Sequence, residues 1–284
     1  MVLYSIILGA VQGISEWLPI SSKTQIIIVS NYLLGLNFQQ AYAFGLFMEI
    51  GTVIAAIIYF RKEVWILVKT LFGKGNAADR KLFKFVLIAT IVTGVVAVPL
   101  YVEVSKVVGG YNIGLPMIIL GIILFVDAIL VKYSRSKYAV DKNRKVLSNM
   151  GLKDFILIGI AQGLAALPGV SRSGATTSTM LLLNMEVKEA FRLSFLIGIL
   201  ASAAAFFVTL VFSKATVLTA VATLGVTGIL VSIAVAAVVS MFLIKFLIDI
   251  AGKSKIVYLI IALGVIAMVG GVIISFFPLG FSAG

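Results

Sequence analysis

Six apolar runs, residues 40–60, 82–101, 113–131, 187–211, 218–244 and 256–277, are each long enough to cross a bilayer as a helix, since one span takes about 20 residues. Inside lipid each backbone amide must find its partner within its own segment, and an uninterrupted apolar run does so as a helix. An all-α, polytopic membrane protein is therefore expected. Composition excludes the soluble alternative: 61% of the residues are hydrophobic and 12% charged, against about 45–50% and 25% in soluble domains.

Two further apolar stretches are interrupted. Val2 to Leu34 is broken by Glu16, Pro19, Ser21, Ser22 and Lys23, and Leu152 to Asn184 by Pro168, Gly169, Ser171, Arg172, Ser173 and Gly174. Each reads as two half-length helices meeting at a polar break. Non-helical backbone at membrane depth persists only where protein or a wet cavity surrounds it, which predicts two re-entrant hairpins. A signal peptide over Met1 to Val29 is the other reading, but that segment lacks a basic start and carries Glu16 in its middle.

The formal charge of +12 is concentrated in loops. Arg61, Lys62, Lys69, Lys74, Arg80, Lys81 and Lys84 follow the first span, and Lys132, Arg135, Lys137, Lys142, Arg144, Lys145 and Lys153 follow the third. Basic loops stay on the cytoplasmic side, so this charge signals orientation and anionic headgroups rather than nucleic acid. Lys245, Lys253 and Lys255 then also fall inside, both termini fall outside, and the hairpins enter from opposite faces. The expected location is the plasma (inner) membrane.

The halves echo each other. Gly9, Gln12 and Gly13 match Gly159, Gln162 and Gly163; Leu18-Pro19-Ile20-Ser21-Ser22-Lys23 matches Leu167-Pro168-Gly169-Val170-Ser171-Arg172; Phe44, Leu46, Ile50 and Gly51 match Phe191, Leu193, Ile197 and Gly198. Residues 1–131 and 152–284 thus form two repeats of one hairpin and three spans, joined by a basic linker, 132–151, in a single membrane domain. Three spans reverse the chain, so the second repeat is inverted, as in many transporters, with a site expected where the broken helices meet.

The chain has no histidine and no cysteine, which removes imidazole bases, thiolate nucleophiles and the metal sites built on either. Most acids lie in loops or near span ends; Glu16 and Glu49 do not. A cation at the bilayer centre costs about 2.5–3.5 kcal/mol on insertion scales, so Lys23 and Arg172 at facing breaks call for an anionic partner. The run Ser171 to Gly174 opens a helix, where amides, a close-approach glycine and the hydroxyls of Ser173, Thr176 and Thr177 could cradle a phosphate. Helix capping is the simpler use of Ser171 and Ser173, and ion pairing with Lys23 or Arg172 that of the acids. Together these groups suit phosphoryl transfer, with serine as nucleophile and glutamate as base or as ligand of a divalent cation. Magnesium or calcium fits oxygen ligands, and Glu16 with Glu49 would be the protein's share of the shell.

At these residues the sequence resembles the bacitracin-resistance type undecaprenyl pyrophosphate phosphatases. GISEWLPISS (Gly13 to Ser22) and PGVSRSGATTS (Pro168 to Ser178) carry the likeness, which extends over essentially the whole chain. It implies an acid anhydride hydrolase that converts a polyprenyl pyrophosphate to the monophosphate and inorganic phosphate, recycling the lipid carrier of cell-surface glycan synthesis. It further implies Ser22 as nucleophile, with Glu16, Arg172, Ser171, Ser173 and Thr176 in the active site. Ser21, Lys23, Gln12, Gln25 and Gly174 complete the expected phosphate-binding set. Two departures stand out: Gln12 replaces a second acid of the family, and Gln25 replaces a histidine. Glu49 stands where the family often has glutamine, so the second carboxylate is expected to have moved to the neighbouring span and to share in catalysis. A lipid phosphate flippase on the same fold is the rival function, and a small-anion channel a third. Gly264, Gly270 and Gly271 offer a close-approach face, either within one subunit or between two copies as a homodimer.

Overall fold

The computed structural model describes residues 2–106, 144–167, 170–251 and 256–276, with Ile118, Ile122, Phe125, Ile129 and Lys253 besides. The rest of the expected span 113–131 and much of the linker 132–151, with Pro168 and Gly169 of the second break, lie outside the described residues. Helices are α1 (Val2–Ser15), α2 (Ser22–Leu34), α3 (Phe38–Tyr59), α4 (Arg61–Leu71), α5 (Ala77–Lys106), α6 (Leu152–Leu164), α7 (Arg172–Leu182), α8 (Val187–Phe212), α9 (Lys214–Ala251) and α10 (Ile256–Phe276). The all-α, polytopic reading holds: among the described residues four helices are long and apolar enough to cross a membrane, at Gln39–Tyr59, Ala77–Val104, Val187–Phe212 and Val221–Ala251.

The helix ends follow local chemistry. Asn37 and Gln40 form a reciprocal capping box at the start of α3, and the Glu186 carboxylate accepts from the amides of Lys188 and Glu189 at the start of α8; both satisfy amides that have no partner inside the helix. Two elements differ from expectation. The first basic loop holds α4, whose Val64, Ile66 and Leu67 pack on the core while Arg61 and Lys62 stay exposed; a pattern dominated by charge hid its apolar stripe. The expected span 218–244 belongs to the longer α9, bent at Gly225, where φ is 72°.

At both breaks the helices are half-length: α1, α2, α6 and α7 have 14, 13, 13 and 11 residues. At 1.5 Å per residue none spans the roughly 30 Å hydrocarbon core alone. The matched glycines explain where α1 and α6 sit. A Cβ added to Gly9 would lie 2.4 Å from the Ser232 carbonyl oxygen of α9, and one added to Gly159 would lie 2.8 Å from the Ala89 carbonyl oxygen of α5. Only a bare Cα permits such backbone approach. Across the same interfaces Ser232 donates to the Ser5 carbonyl at 2.9 Å and Thr93 lies 3.1 Å from the Gly159 carbonyl. The first helix of each broken pair thus packs on a long helix from the other half of the chain.

The contacts at the two ends of the long helices differ in kind. Arg192 at the start of α8 pairs with Glu63 of α4 at 3.1 Å, and Lys81 of α5 donates to the Met150 carbonyl at 2.6 Å. At the other end Tyr42 of α3 stacks on Tyr101 of α5 with ring centres 5.8 Å apart, and the Tyr101 hydroxyl meets that of Ser213 at 2.6 Å.

Candidate active site

Both helix breaks come together in the interior. After α1 the chain turns through Glu16 to Pro19, and Ser21 holds φ at 58°, a setting that costs an L residue on the order of 1–3 kcal/mol and recurs at functional sites. Ser171 caps α7, accepting from the Gly174 amide at 3.1 Å. Ser173 donates to the Leu18 carbonyl at 2.9 Å, and Ser171 reaches the same oxygen at 3.4 Å. Those hydroxyls satisfy backbone groups that the breaks leave bare, and in doing so stitch one break to the other.

Glu16 is the hub. Its Oε2 accepts from Ser22 Oγ at 2.7 Å and from Gln12 Nε2 at 3.0 Å. Its Oε1 accepts from the Arg172 guanidinium at 2.6 Å and from Ser202 Oγ at 3.3 Å. The second acid, Glu49 of α3, faces Lys23 Nζ at 3.5 Å. Glu16, Glu49, Lys23 and Arg172 are all buried, and their formal charges cancel. Such pairs persist in low dielectric only with good geometry and additional hydrogen bonds, which Glu16 has in full.

Arg172 is seated as closely. Its guanidinium carbon lies 5.4 Å from the Trp17 ring centre, Nη1 reaches the Ser194 carbonyl at 3.5 Å, and Nε has no hydrogen-bond partner among the described residues. A Cβ at Gly198 would lie 1.8 Å from Nη1 and 2.5 Å from Cζ. Gly198→Ala must therefore displace the guanidinium from Glu16, and overpacking of this kind costs about 1–3 kcal/mol. The expected result is a lower thermal midpoint in detergent; an unchanged one would mean that the guanidinium does not rest against Gly198.

Most other expected site residues also have partners within the protein. Thr176 donates to the Arg172 carbonyl at 2.8 Å and shares a hydrogen bond with Ser194; Gln25 donates to the Ile20 carbonyl at 3.4 Å; Ser21 accepts from Thr24 at 3.1 Å. Thr177 Oγ1 is buried with no partner among the described residues. Gly174 fits because an added Cβ would crowd Ser171 and Pro19, the latter at 3.3 Å. For Ser171, Ser173, Gly174, Thr176 and Gln25, burial of a broken backbone accounts for the use of their polar groups.

A cavity of about 100 Å³ adjoins this cluster. Lys23, Glu49 and Arg172 form its charged wall, and Gln162 with Thr90 and Thr93 a neutral polar one; the remainder is Leu46, Gly94, alanines and valines, ending at Tyr42 and Tyr101. Gln162 Nε2 donates to Thr93 at 3.0 Å. Since the Thr93 hydroxyl donates to the Ala89 carbonyl, the amide nitrogen of Gln162 must face Thr93. Its oxygen is left without a partner among the described residues.

A divalent cation does not fit between Glu16 and Glu49 as expected. Both Glu16 oxygens already accept two donors each, and Lys23 stands beside Glu49. No group of three or more His, Cys, Asp or Glu side chains gathers among the described residues.

Sequence reasoning missed Ser194, Gly198 and Ser202. They recur every four residues along α8 and so share one face; three small residues on one stripe of an apolar helix were the available signal.

Comparison with known proteins bears on the whole chain. The sequence profile of the family described as "Bacitracin resistance protein BacA" matches residues 5–269. A protein of Saccharolobus solfataricus named undecaprenyl-diphosphatase is 50% identical over 96% of this chain and 96% of its own length. Proteins with the same name from Sulfurisphaera tokodaii and Pyrobaculum aerophilum are 46% and 40% identical, each over 94% of this chain and 96% of theirs.

Proposed function

The chain belongs to the BacA family of bacitracin resistance proteins, and on that premise we propose that it is an integral membrane undecaprenyl-diphosphatase, acting on a polyprenyl pyrophosphate to give the monophosphate and inorganic phosphate. One observation carries the assignment of roles: a serine hydroxyl, Ser22 Oγ, donates at 2.7 Å to a buried carboxylate whose other oxygen is held by Arg172. This is the geometry of a nucleophile with its base already oriented by a third group.

Ser22 Oγ forms the new bond to the terminal phosphorus, the bond from phosphorus to the bridging oxygen breaks, and its electron pair leaves with the lipid monophosphate. The Ser22 proton goes to Glu16. Lys23 and Arg172 neutralise the non-bridging oxygens, where charge is spread in the transition state. In the second half water attacks the phosphoserine, and Glu16 returns the proton to Ser22 as it leaves. Glu49, which lines the cavity, is placed to take the proton of water, a role suited to a chain without histidine. Magnesium or calcium enters this reading as the counter-ion of the diphosphate, and no step is routed through it.

We further assign the ends and topology. The broken pairs α1–α2 and α6–α7 are re-entrant hairpins of two inverted repeats, supported by their half lengths and by their exchange of partner helices between halves. The basic end faces the cytoplasm, so the tyrosine end of the cavity and both termini face outward across the plasma (inner) membrane. Gly264 and Gly271 are buried within a single subunit, which supports intrasubunit packing over a homodimer contact for these glycines.

The test is phosphate release from undecaprenyl diphosphate by the purified protein in detergent, with magnesium or with chelator. Turnover by the wild type is expected. A wild type that releases no phosphate yet relocates the carrier lipid across liposomes would replace this reading with the flippase.

A further inference from the structure

Ser202 stands in the run Ala201 to Ala205, where it is the only residue other than alanine. Hydroxyls in apolar helices usually bond back to the carbonyl four residues earlier, as those of Ser30, Thr93, Thr179, Thr209 and Ser232 do here. The Ser202 hydroxyl instead lies 3.3 Å from Glu16 Oε1, with the Glu49 carboxylate close beside it. It is 2% exposed. Two carboxylates, one from the first break and one from α3, therefore flank one buried hydroxyl on α8.

We propose that Ser202 is a positioning residue that couples Glu16 to Glu49 by donating its single proton to whichever of the two is ionised. This inference rests on the phosphatase reading above. A hydroxyl carries one hydrogen and two lone pairs, so it can donate to one acid while accepting from the other. When the Ser22–phosphorus bond forms, the Ser22 proton passes to Glu16 and Ser202 turns to donate to ionised Glu49. When water attacks, its proton goes to Glu49, Glu16 returns its proton to the departing Ser22 oxygen, and Ser202 turns back to donate to Glu16 while accepting from Glu49. Glu49 then releases its proton to water in the cavity it lines. No bond to Ser202 is made or broken. The hydroxyl keeps each acid oriented and hydrogen-bonded at the moment it is charged, which neither alanine nor a backbone-bonded serine could do.

The experiment measures kcat and KM for phosphate release from undecaprenyl diphosphate in wild type, Ser202→Ala, Ser202→Thr, Ser202→Cys, Glu49→Gln and the Ser202→Ala/Glu49→Gln double variant. A hydrogen bond to a charged group corresponds to about 10- to 150-fold, so Ser202→Ala is expected to lose kcat within that range with KM changed less than about twofold. Thr retains the hydroxyl and should restore most of the loss. Cys keeps a side chain of similar reach with a weak donor and should resemble Ala, which secures the result if Ala folds poorly. Because the two residues act as a unit, the double variant should fall well short of the product of the single losses. A wild type that turns over while Ser202→Ala and Ser202→Cys match it overturns the inference, as does a double variant whose losses multiply or a Thr variant as impaired as Ala. A wild type without turnover overturns the phosphatase reading instead.

Discussion

Ser22→Ala is expected to lower phosphate release by about four orders of magnitude or more, the scale seen when a nucleophile that works as part of a unit is removed. The fold should hardly notice. Ser22 contributes one hydrogen bond to Glu16, and that carboxylate keeps Gln12, Arg172 and Ser202 as donors, so the stability loss should lie near about 1.5 kcal/mol, the low end for a hydrogen bond to a charged group. Ser21→Ala provides the contrast. Its hydroxyl accepts from Thr24 rather than facing Glu16, and loss of one neutral hydrogen bond of about 1 kcal/mol predicts less than about a tenfold effect. Acid quenching after brief exposure to substrate labelled on the terminal phosphate should trap label on wild-type Ser22 and none on the alanine variant. Residual turnover above about a tenth of wild type in Ser22→Ala would remove serine from the nucleophile's place, leaving Glu16 to activate water directly.

Those two adjacent serines show what could be read in advance. The apolar runs and their interruptions located the helices and the breaks, because run length and proline act locally. Glu16, Ser22, Lys23, Glu49 and Arg172 were found because ionisable or paired polar groups inside apolar stretches demand explanation. Which serine meets the carboxylate was not legible from spacing: it depends on the φ of 58° at Ser21, set by the surrounding turn. Nor was it legible that Ser171 and Ser173 would both reach Leu18, 153 and 155 residues away in sequence. Ser202 and Gly198 stayed hidden because small residues in an apolar helix look like packing until the neighbouring guanidinium and carboxylate are in place. Helix α4 was obscured by the opposite bias, since its lysines and arginine outweighed its apolar stripe.

Arg172→Ala should produce the largest loss of stability among single substitutions in the site, because it removes the nearest cation from a buried carboxylate 2.6 Å away. Breaking a buried pair by deleting one partner costs about 3–5 kcal/mol, most of it the uncompensated charge left behind. Gln12, Ser22 and Ser202 would still donate to Glu16, but none supplies positive charge, and Lys23 is already 3.5 Å from Glu49. Phosphate release should fall by about 10²–10³-fold or more, the loss expected for one preorganised transition-state donor. Arg172→Lys should recover much of the stability and little of the activity, since an ammonium supplies the charge but not the planar fork that can hold Glu16 and still present donors to phosphate. The decisive comparison adds Glu16→Gln to Arg172→Ala. With the buried charge gone, the double variant should melt above Arg172→Ala while remaining inactive, because Ser22 would then lack its base and only Lys23 would be left to face the phosphate oxygens. Melting at or below the single variant would mean that the two side chains do not depend on each other, and the assignment of Arg172 as the group that holds Glu16 toward Ser22 would fail with it.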